Sequence, residues 1–127
     1  RLLVLFGGGG CRDRKKRQMM AGAAARWADG IVITDDNPRT EPPEEIRREI
    51  IRGLPKNARW REIPDRRQAM EQTIAVMRQG DLLLLAGKGH EDYQIIMEKT
   101  VPFDEKEIVT EILKSGRIPW KNCHCEK

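Results

Sequence analysis

Three continuous apolar runs, each ending abruptly in a glycine-rich or polar loop, constrain the fold of this chain most strongly. They are residues 2–6, 31–34 and 82–86. A strand that is apolar at every position is typical of a parallel sheet covered on both faces. Segments with helical spacing of apolar residues separate the runs. The sequence therefore predicts an α/β fold, a Rossmann-like, mostly parallel sheet with helices on both faces, in a single domain.

The helical segments are bounded by capping residues. The first follows a basic segment and runs to Asp29, and the second covers residues 43–54. Asp65 caps a third, which ends at Gly80. Weaker patterns predict a strand within 58–63, two short extended pieces within 93–103 and a last helix over 104–113. The residues expected to face inward on the last two helices are Ala69, Ile74, Ala75 and Met77, and then Ile108, Val109, Ile112 and Leu113.

Length and composition limit the class of protein. A chain of 127 residues with 39% apolar residues fits one globular domain. Its apolar runs are far shorter than the roughly 20 residues of a membrane span, so no membrane partner is expected. Nothing resembles a secretion leader, and three cysteines are too few for a disulfide scaffold, which favours an intracellular setting. We expect a domain over residues 1–115 and a flexible tail over 116–127.

The positive charge is concentrated in one segment. Residues 11–17 contain five basic residues and one acidic residue. The net charge of this segment, +4, equals that of the whole chain. Two interpretations remain open. The segment is either the solvated face at the start of a helix or an anion site, because it directly follows a run of glycines.

Polar loops follow all three apolar runs, at residues 7–17, 35–39 and 87–91. In a parallel sheet these loops meet at the carboxyl edge, where ligands bind. The glycine run matches neither a P-loop nor the dinucleotide fingerprint, whose third glycine is replaced by Arg12 in one register and by Asp13 in the other. Arg12 can instead bind a carboxylate through two parallel hydrogen bonds.

The second and third loops contain groups that suit a zwitterion. Asp36, Asn37 and Arg39 place an acceptor, an amide and a cation around Pro38. A plain type I turn explains the same residues and also stays open. In the third loop, Glu91 is favoured over Lys88 and the other polar residues as a partner for an ammonium group.

Three motifs in this order resemble the C-terminal domain of the Mur ligases, and in particular the members that add diaminopimelate. They are Gly-x-Gly-Gly-x-Arg-Asp at residues 7–13, Thr-Asp-Asp-Asn-Pro-Arg at 34–39 and Ala-Gly-Lys-Gly-His-Glu-Asp-Tyr-Gln at 86–94. The similarity covers residues 2–113. It implies a cytoplasmic step of bacterial peptidoglycan synthesis. ATP and Mg²⁺ form an acyl phosphate on the D-glutamate of the UDP-MurNAc-dipeptide, and the amino group of diaminopimelate attacks it.

The resemblance also implies which parts of the reaction this domain carries out and which the rest of the ligase carries out. The family's P-loop, Mg²⁺ ligands, carbamylated lysine and UDP-binding domain belong to regions outside this chain. The domain is therefore expected to bind the incoming amino acid, to help close the ATP site, to hold no cofactor tightly and to be inactive alone. No catalytic residue or metal ligand is expected within it. The implied binding residues for meso-diaminopimelate are Arg12, Asp36, Asn37, Pro38, Arg39, Gly87 and Glu91.

Departures and alternatives accompany this resemblance. Cys11, Lys15 and Gln18 differ from residues common in the family, so the detailed shape of the first loop is open. The family could use lysine, which lacks the second carboxylate that Arg39 would recognise. A free-standing anion- or nucleic-acid-binding module is the other alternative, although none of the six aromatic residues lies in the basic segment for base stacking. Residues 123–125, Cys-His-Cys, lack a fourth metal ligand.

Overall fold

A computed structural model describes residues 1–116 of the chain. All three continuous apolar runs form strands of one parallel sheet, and the weak pattern near residue 60 adds a fourth strand at its edge. The predicted α/β class with a mostly parallel sheet is confirmed. The order in the sheet is β3-β2-β1-β4, with β1 at Leu2–Phe6, β2 at Gly30–Ile33, β3 at Trp60–Glu62 and β4 at Leu82–Leu85.

Four helices connect and follow the strands, and a short hairpin stands apart from the main sheet. The hairpin is antiparallel and corresponds to the two extended pieces expected within 93–103. None of the helices within residues 1–116 combines the length and the apolar character needed to cross a membrane. The elements are α1 at Lys15–Trp27, α2 at Pro43–Arg52, α3 at Arg66–Val76, β5 at Tyr93–Ile96, β6 at Lys99–Pro102 and α4 at Glu105–Lys114.

Two apolar cores lie on opposite faces of the sheet. Alternate side chains of β1 supply them, because successive residues of a strand point to opposite faces. Val4 and Phe6 pack with residues of α1 and α2, whereas Leu5 packs with residues of α3 and α4. This arrangement places helices on both faces, as the apolar runs predict.

The expected double burial is wrong for β4. Leu82 and Leu84 are 65% and 50% exposed, and Met19 and Trp27 on the neighbouring helix α1 are also exposed. The strand lies at the edge of the sheet, and α1 turns Arg17 and Ala21 inward rather than Met19 and Trp27. Hydrophobic spacing predicts a helix here, but not which neighbours cover it.

The inward faces of α3 and α4 also differ from expectation. Asp65 caps α3 as predicted, by accepting a hydrogen bond from the backbone N–H of Gln68, but the helix ends at Val76, short of Gly80. The cap fixes a register in which Ala75 is exposed. In α4, Leu113 is exposed although Ile108 is buried. The residues that α3 buries are Arg66, Ala69, Met70, Thr73 and Ile74.

Candidate functional site

The glycine run packs directly against the loop after β2. The backbone N–H of Gly10 donates a 2.8 Å hydrogen bond to the carbonyl oxygen of Asn37. A Cβ atom on Gly10 would lie only 1.8 Å from the carbonyl oxygen of Pro38. A glycine is therefore required at residue 10 for the close approach of these two loops.

Asn37 connects the second loop to the third. Its Nδ2 donates to Oε2 of Glu91 at 3.0 Å, and its Oδ1 accepts from the backbone N–H of Ile95 at 3.0 Å and from Nζ of Lys88 at 3.2 Å. The residue is 4% exposed. Its side chain is thus engaged within the protein and holds the loops in place.

Lys88 lies beneath the same loops, with its side chain fully buried. Its Nζ is 2.9 Å from Oδ1 of Asp36, 2.7 Å from the carbonyl oxygen of Tyr93 and 3.6 Å from Oε2 of Glu91. Asp36 is itself buried, and its carbonyl oxygen accepts from Nε2 of Gln94 at 3.0 Å. Sequence patterns favour Glu91 over Lys88. The sequence feature that could have singled out Lys88 is its position between Gly87 and Gly89, close to the candidate carboxylate of Glu91.

Arg39 reaches the site on an unusual backbone. Its φ of 54° lies in the left-handed region, which is rare outside glycine. The hairpin holds it there: the N–H of Arg39 donates to the carbonyl of Ile95 at 3.0 Å, and the N–H of Met97 donates to the carbonyl of Arg39 at 2.7 Å. Its guanidinium donates only to backbone carbonyls, those of Gly10 and Asn37, and pairs with no carboxylate in the described part of the chain.

Arg12 also lacks a carboxylate partner within the described residues. It is exposed, and within residues 1–116 it forms neither a hydrogen bond nor an ion pair. A Cβ atom on Gly9 would lie 3.3 Å from Cγ of Arg12 and 3.3 Å from Nη1 of Arg39. Two guanidinium-bearing side chains thus flank one glycine at the carboxyl edge of the sheet.

Two other cations of the basic segment form ion pairs with carboxylates of the same chain. Arg17 is buried, and its Nη1 lies 2.6 Å from Oε2 of Glu41 and 2.7 Å from Oε2 of Glu49, while Nη2 donates to the carbonyl of Gly9 at 3.1 Å. Arg14 also pairs with Glu49. Hydrogen bonds from Arg14 and then Arg17 lower the pKa of Glu49 to about 2, and Arg17 lowers the pKa of Glu41. Neither a solvated face nor a single anion site describes the whole segment.

Gly87 opens the third loop and is exposed. Its φ of 102° is a conformation that side-chain-bearing residues rarely adopt. The buried guanidinium of Arg66 supports the turn by donating to the carbonyl of Ala86 at 3.0 Å and to Oε2 of Glu105 at 3.2 Å. The backbone of Gly87 can therefore approach a ligand closely.

The structure brings the sequence-predicted residues together in two groups. Residues 36–38 of the second loop are buried and lie beneath the exposed members of the site. The residues with exposed or partly exposed side chains or backbone are Arg12, Arg39, Gly87 and Glu91. No cluster of three or more histidine, cysteine or acidic residues suited to a metal occurs among residues 1–116, so these residues do not fit a Mg²⁺ site. Residues 117–127, with most of the predicted tail and the Cys-His-Cys sequence, lie outside the described residues.

The fold and these loops define an α/β domain with cations and a carboxylate at the carboxyl edge of its sheet, the edge where such folds bind ligands. The chain belongs to the Mur ligase family: the family profile described as "Mur ligase, glutamate ligase domain" matches residues 1–89.

Several similar proteins share the name UDP-N-acetylmuramoyl-L-alanyl-D-glutamate–2,6-diaminopimelate ligase. The protein from Rickettsia felis is 53% identical over 113 residues, which are 89% of this chain and 21% of that protein. The protein from Caldanaerobacter subterraneus is 47% identical over 114 residues, 89% of this chain and 24% of its own length. A solved structure of such a ligase has a TM-score of 0.87 at 40% identity and covers 91% of this chain and 24% of its own. The chain thus spans less than a quarter of the length of these relatives.

Proposed function

We propose that this chain is the C-terminal, amino-acid-binding domain of a longer ligase that adds meso-diaminopimelate to UDP-MurNAc-L-Ala-D-Glu in the cytoplasmic stage of bacterial peptidoglycan synthesis. The domain would comprise residues 1–115, followed by a tail. The observation that carries the proposal is the pair of arginines, Arg12 and Arg39, that lack a carboxylate partner within residues 1–116 and flank Gly9. The names of the relatives support the same substrate.

The charges of the site suit a diamino diacid. Diaminopimelate has two carboxylates and two amino groups. In this proposal, the guanidinium groups of Arg12 and Arg39 bind the carboxylates, because such charge-assisted pairs are strong and directional. Glu91 binds an ammonium group, and the backbone of Gly87 contacts the substrate closely. Asp36, Asn37 and Pro38 complete the proposed binding residues, and their burial suits them to position the other groups.

The reaction requires parts of the ligase outside this chain. Those parts would bind ATP and Mg²⁺, and ATP would supply the phosphoryl group that converts the D-glutamate carboxylate into an acyl phosphate, with ADP as the leaving group. This domain would bind diaminopimelate so that one amino group, after losing a proton, can attack the acyl carbon. A carbon–nitrogen bond forms and phosphate leaves. The role of the domain is therefore to orient the nucleophile, which lowers the entropic cost of reaching a reactive geometry.

Discrimination against lysine tests the proposed substrate. A site built for the extra carboxylate leaves a cation without its partner when lysine binds, which costs about 1 to 3 kcal/mol, or roughly 5- to 150-fold. We expect the full-length ligase to show a kcat/KM for meso-diaminopimelate higher than that for lysine by this factor or more. Equal values for the two amino acids would contradict the assignment of Arg39 and favour the lysine-adding alternative.

The division of labour has its own test. The 127-residue chain, mixed with ATP, Mg²⁺, meso-diaminopimelate and UDP-MurNAc-dipeptide, should release no ADP above the level without the dipeptide. The full-length ligase in the same assay is the positive control. ADP release by the isolated chain that depends on both substrates would show that the domain does not need the rest of the ligase.

A further inference from the structure

Lys88 is a buried cation that the proposed binding roles leave unexplained. We propose that Lys88 is a positioning residue: its ammonium sets the direction of the Asn37 amide, and through it the orientation of the Glu91 carboxylate toward the substrate. This inference rests on the proposed function, because it assigns a role within the same amino-acid site.

Three oxygen atoms lie within 3.2 Å of the Lys88 ammonium. The carbonyl of Tyr93 at 2.7 Å and Oδ1 of Asn37 at 3.2 Å accept hydrogen bonds from Nζ, and Oδ1 of Asp36 lies 2.9 Å away as an ion-pair partner without hydrogen-bond geometry. The ring of Phe103 covers the group, with its centroid 5.8 Å from Nζ. A buried ammonium is tolerated only with such partners, so its position is closely fixed.

The ammonium and the backbone N–H of Ile95 together determine which way the Asn37 amide points. An ammonium and a backbone N–H can only donate hydrogen bonds, and both Lys88 and Ile95 direct their donors at the same atom of Asn37. That atom must therefore be the amide oxygen. The reversed amide would place its NH₂ group against two donors and would lose both hydrogen bonds.

The fixed amide in turn orients Glu91. Nδ2 of Asn37 must face Oε2 of Glu91, to which it donates at 3.0 Å, and Nζ of Lys88 lies 3.6 Å from the same oxygen. Oε1 of Glu91 takes no part in these contacts, and the side chain is 27% exposed. One carboxylate oxygen is thus held by the protein, and the other remains for a ligand ammonium.

Lys88 also sets the charge around the carboxylates of Asp36 and Glu91. Asp36 and Glu91 contribute two negative charges, and Lys88 neutralises one of them. The remaining single negative charge suits one ammonium group of the substrate. Without Lys88, two carboxylates would lie close together with no cation between them, and Glu91 could turn away from its present orientation.

The test replaces Lys88 in the full-length ligase. We expect Lys88→Met to raise the KM for meso-diaminopimelate about tenfold or more, the scale on which a charge-assisted contact is lost. The KM values for ATP and for UDP-MurNAc-dipeptide should not change. Lys99→Met, which removes an exposed lysine from β6, is the matched control and should leave all three unchanged. Turnover of meso-diaminopimelate by the wild-type ligase is measured first, and its absence would reject the proposed function itself.

A second variant separates positioning from a merely structural role. Lys88→Met leaves Asp36 buried without its cation and is expected to lower stability, whereas Asp36→Asn combined with Lys88→Met removes both charges. We expect the double variant to regain thermal stability and to retain the raised KM, relative to Asp36→Asn alone. If Lys88→Met does not fold, the double variant supplies the comparison. A wild-type KM in Lys88→Met, or a KM that recovers together with stability in the double variant, would overturn the proposal.

Discussion

Arg12 and Arg17 lie five residues apart in one basic segment and have opposite environments. Arg12 is exposed and has no partner within residues 1–116, whereas Arg17 is 2% exposed and pairs with Glu41 and Glu49. Helix α1 begins between them, at Lys15, and turns Arg17 toward the glycine loop. Paired cations of this kind hold the loops together, whereas the proposed binding role belongs to the unpaired Arg12.

The second and third loops repeat the contrast. Lys88 is buried among oxygen atoms, whereas Arg39 is partly exposed and meets only backbone carbonyls. Residue type and local sequence do not separate the two roles. The two roles are separated by whether a distant segment of the chain contributes a carboxylate to the cation. The proposed binding site is thus the part of the edge that the protein's own carboxylates leave unneutralised.

The largest effect is expected where a buried, paired cation is removed. Arg17→Met leaves Glu41 and Glu49 without this partner, and breaking a buried ion pair in this way costs about 3 to 5 kcal/mol. The free energy of unfolding in urea measures the loss. Lys16→Met, at the exposed neighbouring position, should change it by no more than about 0.5 kcal/mol. Equal losses in the two variants would remove the distinction between paired and exposed cations.

Contact between the first two loops gives the next largest effect. Gly10→Ala places a methyl group against the carbonyl of Pro38, and such overpacking costs about 1 to 3 kcal/mol. Gly22→Ala is the matched control, because nothing lies within 4 Å of a Cβ atom at this site in α1. It should raise stability by about 0.5 to 1 kcal/mol through helix propensity. Urea unfolding should therefore give opposite signs, and the same sign in both would reject the packing role of Gly10.

Acid should weaken the ion pairs that Glu49 forms with Arg14 and Arg17. The folded-state pKa of Glu49 is about 2, below its ordinary value of 4.5, because Arg14 and Arg17 donate hydrogen bonds to its carboxylate. A lowered pKa contributes stability above the ordinary value, and this contribution is lost as pH falls from 4.5 toward 2. Urea unfolding measured across this range should show the decline. Glu49→Gln should make the decline less steep, and an unchanged slope in that variant would contradict the assignment.

The smallest effect on stability is expected for the unpaired cation. Arg12→Met removes an exposed side chain that has no partner within the described residues, so the free energy of unfolding should change by no more than about 0.5 kcal/mol. The comparison with Arg17→Met uses the same urea assay. A loss as large as that of Arg17→Met would show that Arg12 has a structural role.

Local patterns predict the sheet and its loops well but not the network within the loops. Strands β1 and β2 follow from continuous apolar runs, and Pro38 and the glycines mark where those runs end. The role of Lys88 depends on Asn37, which lies 51 residues earlier, and on Tyr93 in the hairpin. Similarly, Arg17 pairs with Glu41 from the loop before α2 and with Glu49 from the second half of α2. Such contacts depend on tertiary packing, which spacing along the chain does not encode.

Replacing Arg39 tests most directly whether unpaired cations recognise the substrate. The measurement is the ratio of kcat/KM for meso-diaminopimelate to that for lysine in the full-length ligase, compared between the wild type and Arg39→Met. The account predicts that the ratio falls about tenfold or more, equivalent to about 1.4 kcal/mol, because the cation for the extra carboxylate is gone. An Arg39→Met ligase that folds normally and keeps the wild-type ratio would contradict it.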